Sequence, residues 1–297
     1  MTSVPPTGLS SPGGPPAHGG PALPGRGRWG AAGWRPWTAW VALLAGFAAT
    51  IVGSIIVGLV AGAAGADLDN TPAGIDIGLT VFQNVALFGA AYLFARGVSR
   101  PTADDFGLRP PPSIKRAIGR LLRVWFIFFA FAILWAAIIG VDEESELPER
   151  LGVDDSTVNL LAVTFLVTVV APVGEELFFR GFFFGALRNW RGPWPAAIIT
   201  GLVFGAIHLG SAPASQLVPL AVLGAGLCML YHWTGSLYPC IVLHAFNNAL
   251  AFGVGEGWPA EVVVGAMAGA AIVSIGVAAC IRRALGPGAR AAPAPAG

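Results

Sequence analysis

Eight runs of apolar residues, joined by short polar connections, dominate the chain: Trp37–Ala64, Ile75–Ala95, Leu121–Val141, Thr157–Leu187, Trp194–Leu209, Leu217–Trp233, Leu237–Phe252 and Glu261–Ile281. A helix needs roughly 20 mostly apolar residues to cross a bilayer, and most of the runs reach that length. The fourth run is longer, about 30 residues, enough to tilt, to bend at Pro172 or to leave the bilayer before it ends. The fifth and seventh are short for full spans. The eighth is rich in Gly and Ala, which permits close helix packing. This pattern predicts an all-α fold, a polytopic membrane helix bundle of about eight transmembrane helices. Residues 1–35 form a Pro/Gly-rich tail with no apolar periodicity, a composition that predicts disorder, and His18 in it has no chemical neighbours. No apolar run follows the start directly, so the tail does not read as a signal peptide. Residues 36–156 hold the first helices and a basic linker, 157–253 a core, 254–283 a last transmembrane helix and 284–297 a second tail. No convincing internal repeat is visible.

Composition sharpens the pattern. Of 297 residues, 55% are hydrophobic and 11% charged, against about 25% charged in soluble domains. A net charge of +1 gives no reason to expect a nucleic-acid partner. Cys228, Cys240 and Cys280 lie in apolar runs without a CxxC pair, so they read as small membrane-embedded residues. Basic residues mark cytoplasmic loops. Here they fall at Arg26, Arg28 and Arg35, from Arg96 to Arg123, at Arg188 and Arg191, and at Arg282, Arg283 and Arg290. The alternate loops are acidic, with Asp67, Asp69 and Asp76 in one and the stretch from Asp142 to Asp155 in another. Eight spans with both termini cytoplasmic fit this alternation. Trp29, Trp34, Trp37 and Trp40 read as an interfacial belt.

Against this background a few polar residues stand out inside apolar runs. The fourth run carries Glu175, Glu176 and Arg180, the fifth His208, and the seventh His244, Asn247 and Asn248. Charges at mid-membrane cost upward of about 2.5 kcal/mol and face a cavity or a partner. Glu176 and Arg180 stand four residues apart and can pair on one helical face, as can His244 and Asn248. Glu175 points about 100° away from Glu176 and is free for another task. Phe204, one turn before His208, can pack beside the imidazole and limit water entry. A carboxylate and imidazoles around a cavity can activate water, and an amide such as Asn248 can donate to a developing oxyanion. No serine or cysteine stands beside a histidine at useful spacing. The same set, Glu175, His208 and His244, is also an adequate ligand set for Zn2+ with an open water position, although HExxH is absent. His232 belongs to no motif and sits beside Trp233 at an interface.

The three motifs are "EELFFR" (Glu175 to Arg180), "FGAIH" (Phe204 to His208) and "HAFNN" (His244 to Asn248). In order and spacing they resemble the CPBP family: the CAAX prenyl endoproteases of the Rce1 type and the bacteriocin-processing or self-immunity proteins also called Abi. The resemblance covers about Asn159 to Phe252, and "DFGLRPPPS" (Asp105 to Ser113) is similar to the cytoplasmic linker before that family's core. It implies a multi-pass protein of a prokaryotic plasma membrane acting on a membrane-associated protein or peptide. Glu175 would be the general base, His208 would hold the water with it, and His244 and Asn248 would complete the site, Asn248 near the oxyanion. Glu176 and Arg180 would hold Glu175 in place. The family is described both as metalloprotease and as metal-independent glutamate protease, so the Zn2+ question stays open at this point. Two other classes also stay open: a non-catalytic scaffold or immunity protein of the same fold, and a proton-coupled transporter using Glu175 and the histidines as a relay.

Overall fold

A computed structural model describes residues 33–65, 72–140 and 147–287. Most of the two expected tails, and most acidic residues of the two acidic loops, lie outside these residues; the inner ends of the tails, residues 33–35 and 284–287, are described, and the last helix runs on to Leu285. Eight long helices match the eight apolar runs: α1 (Pro36–Ala63), α2 (Ala73–Arg96), α3 (Ile114–Ile139), then, after a single turn α4 (Leu147–Arg150), α5 (Thr157–Arg191), α6 (Pro193–Ala206), α7 (Ala214–Thr234), α8 (Tyr238–Gly255) and α9 (Ala260–Leu285). The described residues contain no β-strand, only an isolated bridge between Leu209 and Ala212.

Local chemistry sets the boundaries. Ser113 and Ser156 cap α3 and α5 by accepting from the backbone N–H groups of Arg116 and Asn159. Proline opens α1 and α6, where its missing N–H leaves no bond unmade. Gly192, at φ 81°, ends α5 and lets Pro193 begin α6 at once. The start of α3 lies seven residues ahead of the apolar run, because Ser113 caps a first stretch that is helical and charged, with Lys115, Arg116 and Arg120.

Among the described residues six helices are long and apolar enough to cross a bilayer: α1, α2, α3, α5, α7 and α9. With 14 residues, α6 extends about 21 Å, short of the roughly 30 Å hydrocarbon core. With 18, α8 extends about 27 Å. The count of eight transmembrane helices is therefore refined to six of full span and two shorter ones. Large apolar side chains point outward along the spans, among them Ile55, Leu59, Phe126, Ile133, Val264 and Ile272. That is the surface of a multi-pass membrane protein, with lipid as its solvent.

The core sits around α5. Phe178, Phe179, Phe182, Phe183 and Phe184 are all fully buried. Trp34 is buried too, its ring 5.3 Å from Phe106 and 4.9 Å from Phe182, so it is a core residue and not part of an interfacial belt; Trp37 and Trp40 remain exposed. The linker after α2 is part of the core as well. Phe106 and Leu108 are fully buried, the N–H of Leu237 donates to Gly107 O, and Ser236 Oγ donates to Arg109 O. Ala103 N–H donates to Gly286 O beyond α9. The basic linker thus gathers the α7–α8 turn and the end of α9 at one face of the bundle, where the positive-inside pattern puts the cytoplasm.

Helices α6 and α7 form a tight hairpin. A Cβ on Gly201 would lie 2.5 Å from Ala221 O, and one on Gly205 would lie 2.5 Å from Leu217 O. Backbone cannot yield as a side-chain tip can, so Gly201→Val is expected to destabilise the protein by about 1–3 kcal/mol or more. A lowered thermal midpoint in detergent checks this.

Candidate active site

Two π-helical stretches, Leu166–Val170 and Leu177–Phe183, interrupt α5 on either side of Pro172. Such stretches are uncommon and concentrate at functional sites. Their register explains one contact. Ala171 N–H donates to Leu166 O, five residues back. The next bond in that register would run from residue 172 to Val167 O, but Pro172 has no N–H. Asn248 Nδ2 on α8 donates to Val167 O at 3.0 Å and takes its place. A side chain from α8 thereby ties α5 at its proline, and α5 stays helical through the expected bend.

One turn before Asn248, His244 enters the centre of the site. Its Nδ1 lies 2.8 Å from Glu176 Oε1, and the same oxygen lies 2.7 Å from Arg180 Nη1. Glu176 and Arg180 are fully buried and His244 is 3% exposed. Arg180 is held on three sides: by Glu176, by Gly224 O at 3.3 Å from Nη2, and by the Phe204 ring 4.4 Å from Cζ. A buried carboxylate needs such compensation, and Arg180 with His244 supplies it. With Glu176 as acceptor, Nδ1 of a neutral His244 carries the hydrogen and Nε2 keeps its lone pair.

That lone pair faces the second carboxylate. His244 Nε2 lies 3.8 Å from Glu175 Oε2. Both atoms accept, so a donor between them, a water or a proton, would satisfy both. Glu175 Oε2 is buried and has no hydrogen-bond partner among the described residues, while the side chain as a whole is 15% exposed. Glu175 thus has the opening that Glu176 lacks.

Phe204 forms the common wall. Its ring centroid lies 4.9 Å from that of His208 and 5.6 Å from that of His244, with Phe179 edge-on at 5.3 Å. His208 stands two residues past the end of α6 and is half-buried. Its Nδ1 lies 2.7 Å from Phe204 O, so this ring too keeps Nε2 as an acceptor. The structure therefore brings Glu175, Glu176, Arg180, Phe204 and His244 into one connected group, and His208 packs against the same Phe204 ring. Asn248 stands at the Pro172 joint. His232 lies at the other end of α7 and is half-exposed.

Three contributors were not singled out from the sequence. Gly224 O and Val167 O are backbone groups and leave no residue-type signal. Asn84 on α2 packs against Gly174, where a Cβ would lie 2.7 Å from Asn84 Oδ1. Its signal is visible in hindsight, as an amide within an apolar span. Among the described residues no three His, Cys, Asp or Glu side chains converge closely enough to hold a metal ion.

Asn248 makes a separable prediction. Asn248→Ala leaves the part-buried Val167 carbonyl unpaired and is expected to cost about 1 kcal/mol or more. Pro172→Ala, which restores an N–H to α5, is expected to recover much of that loss in the double variant. Thermal unfolding of the two single variants and the double variant checks it.

Residues 157–250 match the family described as type II CAAX prenyl endopeptidase Rce1-like. Over 111 residues the chain is 27% identical to a Bacillus subtilis (strain 168) protein named "Putative membrane peptidase YdiL". The alignment covers 37% of this chain and 43% of that protein, less than half of the relative's length. No solved structure matches the chain. The resemblance carried by the three motifs is borne out: the segment from α5 to α8 matches the Rce1-like family and is similar to a relative named as a membrane peptidase. All three motifs lie within the matched residues.

Proposed function

We propose that this protein is an intramembrane endopeptidase that hydrolyses a peptide bond of a membrane-associated protein or peptide. The observation that carries the reading is the facing pair of Glu175 Oε2 and His244 Nε2, 3.8 Å apart, with His244 held from behind by Glu176. That is a place for a water with a base beside it. Water donates its proton to Glu175 as its oxygen bonds to the peptide carbonyl carbon. The proton then passes, by way of His244, to the nitrogen of the breaking C–N bond. Glu176 holds His244 in the Nδ1–H tautomer and stabilises the imidazolium while it carries the proton, as a buried carboxylate does in other hydrolases. His208 Nε2 accepts from the same water and orients it. Asn248 has a second Nδ2 hydrogen beyond the bond to Val167, and this is the candidate donor to the oxyanion.

Zn2+ would supply a more acidic bound water if it were held by Glu175, His208 and His244. Among the described residues those donors do not converge as a metal site requires. A chelator is expected to leave cleavage intact; loss with recovery on adding Zn2+ would move the water onto the ion.

The deciding experiment compares protein termini in cells expressing wild type or Glu175→Gln at equal, folded levels. New termini seen only with wild type support proteolysis and name substrates. Identical termini, with a phenotype that survives the substitution, would leave a scaffold; loss of proton-coupled flux instead would indicate a transporter.

A further inference from the structure

Two polar faces outside the motif-bearing core lead towards it. On α2, Asp76, Thr80, Gln83 and Asn84 recur at helical spacing and share a face over roughly 12 Å. On α1, Thr50 and Ser54 stand four residues apart. The two faces meet. Thr50, Ser54, Asp76, Thr80 and Gln83 line a single cavity of about 130 Å3 near the end of α1 and the start of α2. At about 30 Å3 each, it has room for about four waters. Three side chains of the row donate to their own helices: Thr50 Oγ1 to Gly46 O, Thr80 Oγ1 to Asp76 O, and one Nδ2 hydrogen of Asn84 to Thr80 O. Their oxygens remain as acceptors, which lipid cannot satisfy and water can.

The inner end of the row reaches the site. Asn84 is 7% exposed and lies against Gly174, the residue before Glu175. Glu175 Oε2 is buried and has no hydrogen-bond partner among the described residues. In the other direction the interior is apolar. Between Glu175 and the basic end of α5 stand Phe178, Phe179, Phe182, Phe183 and Phe184, all fully buried. Water does not travel readily along that stretch.

We propose that this polar row is the inlet by which hydrolytic water reaches Glu175 from the face where α1 ends and α2 begins, opposite the basic linker, and that Asn84 is the positioning residue at its inner end. The inlet's role in catalysis rests on Glu175 acting as the base, but its existence does not. Thiol accessibility tests it directly. In a Cys280→Ser background, which removes the exposed native cysteine and keeps the buried Cys228 and Cys240, single cysteines replace Ser54, Thr80 and Gln83. Val85, 61% exposed on the same helix, serves as the lipid-facing control. A membrane-impermeant methanethiosulfonate is applied to each face of vesicles in turn. The three inlet cysteines are expected to react from the α1–α2 face roughly tenfold or more faster than Val85→Cys, since thiolate forms in water and not in lipid. Rates equal to the control, or reaction from the basic face alone, would overturn the inlet. Asn84→Leu is then expected to lower kcat with KM unchanged, and Asn84→Ser to restore much of it; a change in KM alone would remove the positioning role. Labelling as expected without any cleavage would leave the inlet and sink the protease, while cleavage without labelling would do the reverse.

Discussion

Glu175→Gln is expected to lower peptide cleavage by about 10²–10⁴-fold while leaving the fold intact. Both halves of that expectation come from the geometry. The amide cannot take a proton from water, so the base is gone. The stability cost is small, because Glu175 makes no ion pair with Arg180 and approaches His244 only to 3.8 Å. Glu176→Gln is the instructive contrast. It removes the charge that pairs with a fully buried arginine and orients His244. That variant is expected to lose stability and activity together. Single-turnover cleavage of a substrate found from the termini comparison, read beside the thermal midpoint, separates the two. A Glu175→Gln protein with near wild-type cleavage would dismiss Glu175 as the base.

Arg180→Met carries the largest expected effect on stability. Removing one partner of a buried ion pair strands the other, at a cost of about 3–5 kcal/mol. Total stabilities are about 5–15 kcal/mol, so the loss would be a large share of the whole. Arg180 also bonds to Gly224 O and lies over Phe204, and so braces α5 against the α6–α7 hairpin. The double variant Glu176→Gln with Arg180→Met removes both charges and is expected to be more stable than Arg180→Met alone. Thermal unfolding of the four proteins in one detergent gives the coupling. Additive losses would mean that the pair does not act as a unit.

The sequence made some of this legible, for physical reasons. Apolar runs are read well because lipid exposure requires them, so the eight long helices fall close to the runs. The four-residue spacing of Glu176 and Arg180 is a local geometric rule, and the 2.7 Å pair follows it. Contacts across the chain were not legible. Nothing local says that His244 would choose Glu176, 68 residues away, with its Nδ1. The π-helical stretches around Pro172, and the answering bond from Asn248, depend on a neighbour helix at the right height. Trp34 reads as interfacial by type and position, yet the folded linker offers it Phe106 as a buried partner. Helix α6 reads as a short span, and only the α6–α7 hairpin shows why a short helix suffices.

The linker from residue 97 to 113 has one more consequence. Residues 157–250 carry all three motifs, yet Phe106 and Leu108 fill the interior beside them, and Gly107 O holds Leu237 in place. The segment that heredity marks out is therefore not a segment that can stand alone. A truncated gene beginning at α5 would encode a bundle with an aromatic-sized hole on its cytoplasmic side. The shortest polypeptide that folds must reach back past residue 103, and a chimera that exchanges the motif-bearing segment between relatives must exchange the linker with it.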